Sequence, residues 1–187
     1  MVMQPIRQLM YALACLMLGI VVCVLLKPHG LLANSGISYY GTFRITLASY
    51  AIALLGSAWF TYRAGHLLLV SSLAVQRLAC YSFSVLIVGI FLTPYSLNSV
   101  FDWTHTILGS ILFAGQLLLT GWLTVQSKYR PSLTCFWILE LLAGIMCAIY
   151  VRLPQGYLIE FQVLFQVMFT TCFTGYLRMV RITASQP

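Results

Sequence analysis

Six times along the chain a run of apolar residues long enough to cross a bilayer is followed by a short polar or charged break. A hydrocarbon core about 30 Å thick takes about 20 residues of α-helix. By that measure the spans lie at about 8–26, 44–62, 75–93, 106–126, 133–151 and 157–177. Lipid offers no partner to a peptide N–H or C=O, so each span closes its own hydrogen bonds as a helix. The predicted fold is all-α, a polytopic membrane bundle of six transmembrane helices. One apolar region, His66 to Tyr95, is longer than a single span and is interrupted at Gln76-Arg77. His66 to Val75 is read as an interfacial segment or helical lead-in, with the third span starting near Arg77. Ser49, Ala53 and Ser57 recur every four residues in the second span. Such a row lets a neighbouring helix approach closely, and Ser110 and Ala114 predict the same on the fourth.

Composition agrees. With 61% hydrophobic and 7% charged residues and a mean hydropathy of +0.94, the chain departs from soluble domains, in which about a quarter of residues are charged. Residues 1–187 are read as one integral membrane domain, because the connections are too short to hold a second unit. Arg7 gives the first span a basic flank. Its length, and the poor match to a small-residue cleavage site near Ala33, predict a retained helix over a cleaved signal peptide.

Lysine and arginine set the expected orientation. With both termini cytoplasmic, Arg7, Arg63, Arg77, Lys128, Arg130, Arg178 and Arg181 lie inside, seven against the three outside, Lys27, Arg44 and Arg152. A multi-pass protein of a bacterial inner or plasma membrane is the expectation. The net charge of +7 is spread over single residues. No run of basic residues could neutralise successive phosphates, so nucleic acid is not an expected partner. The six cysteines fall inside apolar runs without metal-ligand spacing and read as small buried side chains. No metal and no cofactor is expected; of the histidines, only His29 and His105 share a leaflet, and His29 sits in a Pro-Gly loop. Serine-hydrolase and zinc-protease signatures such as GxSxG and HExxH are absent from the sequence.

The chemistry that remains collects in two places. Asp102 and His105 form D-x-x-H at the expected outer end of the fourth span, and His105 aligns with Gln116 about three turns on. Asp102 also reads as a helix N-cap. Tyr39, Tyr40, Arg44, Arg152, Tyr157 and Glu160 fall in the same leaflet. There Arg44 offers a planar fork for phosphate or carboxylate, or serves as an ordinary interface anchor. Deeper down, Glu140 sits mid-span, where a bare carboxylate is costly and protonation, hydrogen bonding or pairing is expected. Gln116, Gln162 and Gln166 are its candidate partners. Gln162, Gln166, Thr170 and Thr174 follow at four-residue steps and predict a polar seam facing the bundle.

"GISYYGTFRITLASYAIALL", then "LTPYS", then "WTHTILGSILFAGQLLL" resembles the uncharacterised six-span bacterial membrane proteins of domain-of-unknown-function family 998. Ser38, Tyr40, Gly41, Thr93, Pro94, Tyr95 and His105 carry the resemblance over about residues 27–126. It departs at "ITLAS", where the family pattern places a proline before Tyr50. The resemblance implies a six-helix bundle and supplies no activity. Three functions stay open from the sequence. The first is a non-enzymatic protein that binds a membrane lipid or small amphiphile at the outer mouth, or partners another membrane protein. The second is an enzyme acting on a lipid headgroup, with His105 as general base oriented by Asp102, Arg44 on the phosphate and Glu160 or Tyr40 assisting. The third is proton or ion movement through Glu140, weaker because no second intramembrane charge continues the path.

Overall fold

The computed structural model describes residues 3–32, 35–69, 71–94, 96–153 and 156–184. Val70, within the expected interfacial segment, and Tyr95, within the family resemblance, lie outside the described residues. Among the described residues six α-helices follow one another: α1 (Met3–Leu26), α2 (Arg44–Leu67), α3 (Ala74–Leu92), α4 (Ser99–Gln126), α5 (Pro131–Tyr150) and α6 (Leu158–Ala184). Each is long and apolar enough to cross a membrane. No strand occurs among the described residues.

Local chemistry explains where the helices begin and end. Pro28 lacks the N–H that would carry α1 onward. At the head of α4, Asn98 is the N-cap, its side chain accepting the Phe101 N–H at 3.0 Å. That corrects the reading of Asp102 as the cap: Asp102 falls within the first turn. Pro131 opens α5 at a position where a missing N–H costs nothing. The helices also revise the expected spans. His66 belongs to the last turn of α2, and α3 starts at Ala74, before Arg77. α4 starts seven residues earlier than its apolar run, since polar first-turn residues can project beyond the hydrocarbon. α2 runs unbroken through Tyr50.

Packing is uneven. α1 lies most extensively against α2, α2 against α3 and α5 against α6, whereas α4 meets α5 and α6 sparsely. Ser49 and Ala53 of the α2 row seat α1, while Ser57 lines a cavity. Ala53 is buried, Gly19 faces it, and a Cβ at Gly19 would run into the Ala53 Cβ with the Ser49 carbonyl oxygen at 3.0 Å. The expected row on α4 is not a helix contact. Ala114 is exposed and Ser110 opens on a cavity; the buried face of α4 is Leu112, Gln116, Leu119, Thr120, Leu123 and Thr124. Outward side chains such as Leu25, Leu118 and Val85 give the bundle an apolar surface of the kind that lipid covers.

Candidate functional site

The connections before α2, between α3 and α4, and between α5 and α6 gather at one end of the bundle, opposite the described chain ends. There a short 3-10 helix, Gly36–Thr42, lies across the helix tops. Gly36 has a φ of +59°, a left-handed conformation that disfavours a Cβ. A Cβ there would also strike the Gln162 side chain, whose Nε2 is 2.7 Å from that position. The Ile37 N–H donates to Gln162 Oε1 at 2.8 Å, and an N–H needs an acceptor, so the amide orientation follows. Thr46 of α2 donates its hydroxyl to the Tyr40 carbonyl at 2.6 Å. Lys27 places its ammonium over the Phe43 ring, 2.8 Å from the centroid, and 5.6 Å from that of Tyr39.

His105 is held between two of these connections. Its Nδ1 is 2.8 Å from the Thr93 carbonyl oxygen, and its Nε2 is 2.7 Å from Ser38 Oγ. A carbonyl only accepts, so Nδ1 carries the hydrogen. In the neutral ring Nε2 then accepts, and the Ser38 hydroxyl donates to it. The Thr93 carbonyl thus orients His105, and Asp102, which the sequence suggested for that role, shares the wall of the larger cavity with it. Ser38, Thr93 and His105, far apart in sequence, meet here.

Ser38 and His105 stand between two cavities. The larger, about 710 Å³, descends between α4 and the rest of the bundle, past Tyr50, Leu54, Ile87, Leu112 and Phe113 to Gly144 and Gln166. The smaller, about 280 Å³, lies among Leu47, Phe91, Leu92, Pro94 and Leu97. Ser38, Tyr50 and His105 line both. Gly109 also faces the larger cavity, and a Cβ built on it meets nothing within 4 Å.

Of the residues singled out from the sequence, Asp102, His105, Gln162 and Gln166 share the wall of the larger cavity. Arg44, Arg152, Tyr157 and Glu160 are exposed and contribute nothing to that wall. Tyr157 sits edge-on to Tyr150. Tyr39 is half-buried, packed on Tyr40 and Phe43. Tyr40 is fully buried against Gly30, off the wall, and its hydroxyl has no hydrogen-bond partner. Burial pushes the Tyr40 phenol up to about 12.

Below the cavity the polar groups close on one another. Gln116 and Gln166 exchange two hydrogen bonds, 3.2 and 3.0 Å. Gln162 is committed to Ile37. The glutamines are thus not the partners of Glu140. Glu140 is fully buried, neither of its oxygens meets a partner in hydrogen-bonding geometry, and the Thr120 hydroxyl lies close by. The Thr120 hydroxyl already donates to the Gln116 carbonyl at 3.0 Å, so only its lone pairs remain for a neighbour. On α6, Thr170 and Thr174 face inward as the four-residue spacing predicts. A matching row, Thr120 and Thr124 on α4 and Ser127 at its C-cap, is equally buried; its spacing from Gln116 was the available signal. Among the described residues no three His, Cys, Asp or Glu side chains come together as a metal ion requires. No protein-family model, curated protein or solved structure matches the chain.

Proposed function

We propose that the protein binds a single amphiphilic molecule of the membrane, with its apolar part in the larger cavity and its polar part at Ser38, Asp102, His105 and Gln162. The cavity carries this reading. At about 710 Å³ it falls in the range of ligand pockets, about 300–1,000 Å³, and its lining surface is mostly apolar. Ser38, Asp102, His105 and Gln162 line it at the end where a lipid headgroup would lie. Gly109 adds that the wall borders open space: a Cβ there would meet nothing within 4 Å.

On the basic-residue asymmetry, the same reading places this end of the bundle in the outer leaflet, with both termini cytoplasmic. Exposed Arg44 and Arg152 then act as anchors among headgroups, beside the mouth and not within it. The chain also reads as a relative of the six-span proteins of family 998, on Ser38, Thr93 and His105. The test is mass spectrometry of lipid retained through purification by wild type and Gly109→Trp. A Cβ at position 109 meets nothing within 4 Å, so the indole starts from an uncrowded point on the cavity wall, and the variant is expected to retain less of the amphiphile than wild type. Equal retention of the same molecules by both would reject the cavity as the binding site.

A further inference from the structure

Ser38, His105 and the Thr93 carbonyl have a chemical consequence beyond binding. A serine is a weak nucleophile until a base stands ready to take its proton, and that base works best when a third group fixes its tautomer. Here the third group is a backbone carbonyl. It holds hydrogen on Nδ1 and leaves Nε2 bare, 2.7 Å from Ser38 Oγ. We propose that Ser38 is the nucleophile and His105 the general base of an acyl-transfer site that cleaves a long-chain ester. The proposal rests on the amphiphile reading above and names the substrate class of that same site.

The two cavities fit the two halves of such an ester. Ser38 and His105 line both, so a carbonyl carbon beside Ser38 Oγ has the larger space on one side and the smaller on the other. The acyl chain occupies the 710 Å³ cavity and the alcohol portion the 280 Å³ cavity. Oγ attacks the carbonyl carbon while its proton passes to Nε2. The carbonyl π pair moves onto oxygen as the tetrahedral intermediate forms. The pair then returns, the C–O bond to the alcohol breaks, and the alkoxide leaves with the proton from Nε2. Water resolves the acyl-Ser38 ester by the same sequence: Nε2 takes its proton, the carboxylic acid departs, and Ser38 recovers its hydrogen.

Charge on the intermediate oxygen needs a donor. Gln162 lines the larger cavity, and the Ile37 N–H holds its Oε1. Its NH2 is then the donor assigned to the oxyanion. Gly36 brings this amide close to the serine turn, since the space a Cβ would fill is taken by the Gln162 side chain. Nothing in this arrangement needs Asp102.

The experiment uses the full chain in detergent and a fluorophosphonate bearing a linear alkyl chain. Ser38 Oγ attacks phosphorus, fluoride leaves and the hydroxyl proton goes to His105, so reaction leaves a stable adduct. Peptide mass spectrometry is expected to find one adduct, on Ser38, and none at that peptide in Ser38→Ala. In His105→Gln the labelling rate should fall about 10²–10⁴-fold, the range of general-base assistance. Should that variant be recovered unfolded, wild type and Ser38→Ala decide between them. Wild type that retains its lipid but carries no adduct on Ser38 overturns the serine step and leaves the binding reading standing. Equal labelling of folded His105→Gln overturns the role of the base. Loss of both adduct and retained lipid in wild type overturns both readings together.

Discussion

Replacing a helix glycine by alanine has opposite expected effects at two positions of this bundle. In a helix interior alanine is favoured over glycine by about 1 kcal/mol. At Gly109 nothing opposes that gain, because the new Cβ meets nothing within 4 Å. At Gly19 the methyl runs into the Ala53 Cβ, with Ala53 Cα at 3.1 Å and the Ser49 carbonyl oxygen at 3.0 Å. Two of those three neighbours are backbone atoms, so relief requires α1 to move off α2. Overpacking of this kind costs about 1–3 kcal/mol. Gly19→Ala is therefore expected to lower stability by up to about 2 kcal/mol, after the propensity gain, and Gly109→Ala to raise it by up to about 1. Reversible unfolding in mixed micelles, titrated with a denaturing detergent, reads both against wild type. Shifts of the same sign and size would refute the claim that α1 packs on the Ser49-Ala53 surface through Gly19.

Tyr40→Phe removes a buried hydroxyl that has no partner, so stability should hold or rise by about 1 kcal/mol. The wild type should also lose stability relative to this variant as pH climbs from about 10 towards about 12. In that window the unfolded phenol gives up its proton before the folded one does. Parallel pH profiles for the two proteins would contradict the burial argument. For the Gln116–Gln166 pair, a double-mutant cycle with leucine at each position should return a coupling of about 1 kcal/mol, in keeping with interhelical hydrogen bonds in membranes. A coupling near zero would mean that the amides do not rely on one another.

How much of this was readable in the sequence depends on what each inference used. Helix count and order came from apolar run length alone, because lipid leaves a spanning chain no other backbone solution. Helix starts were less legible. A run-length ruler sees hydrocarbon, and α4 begins seven residues before its apolar run, at a cap set by Asn98. Ser49 and Ala53 of the α2 row face α1 as the spacing predicts, whereas Ser57, like Ser110, opens on the larger cavity and Ala114 is exposed: spacing gives a face, and the neighbours decide what covers it. Sequence placed His105 at the site through its neighbour Asp102. Its partners Ser38 and Thr93 lie 67 and 12 residues away, in connections that only the folded bundle brings together. Leaflet membership likewise grouped Arg44, Arg152 and Glu160 with the mouth, yet depth along a helix says nothing of direction around it, and all three are exposed.

The central claim, that the larger cavity holds the apolar part of a membrane amphiphile, is tested most directly by photolabelling. The protein is reconstituted with a phospholipid carrying a diazirine midway along one acyl chain, irradiated and digested. Leu112 and Ile87 line the cavity and are only 6% and 9% exposed, whereas Leu118 and Val85 are 73% and 72% exposed on the outer surface. Adducts on Leu112 or Ile87 that disappear in Gly109→Trp, with those on Leu118 and Val85 unchanged, are the predicted result. Adducts confined to Leu118, Val85 and other outward side chains would contradict the account.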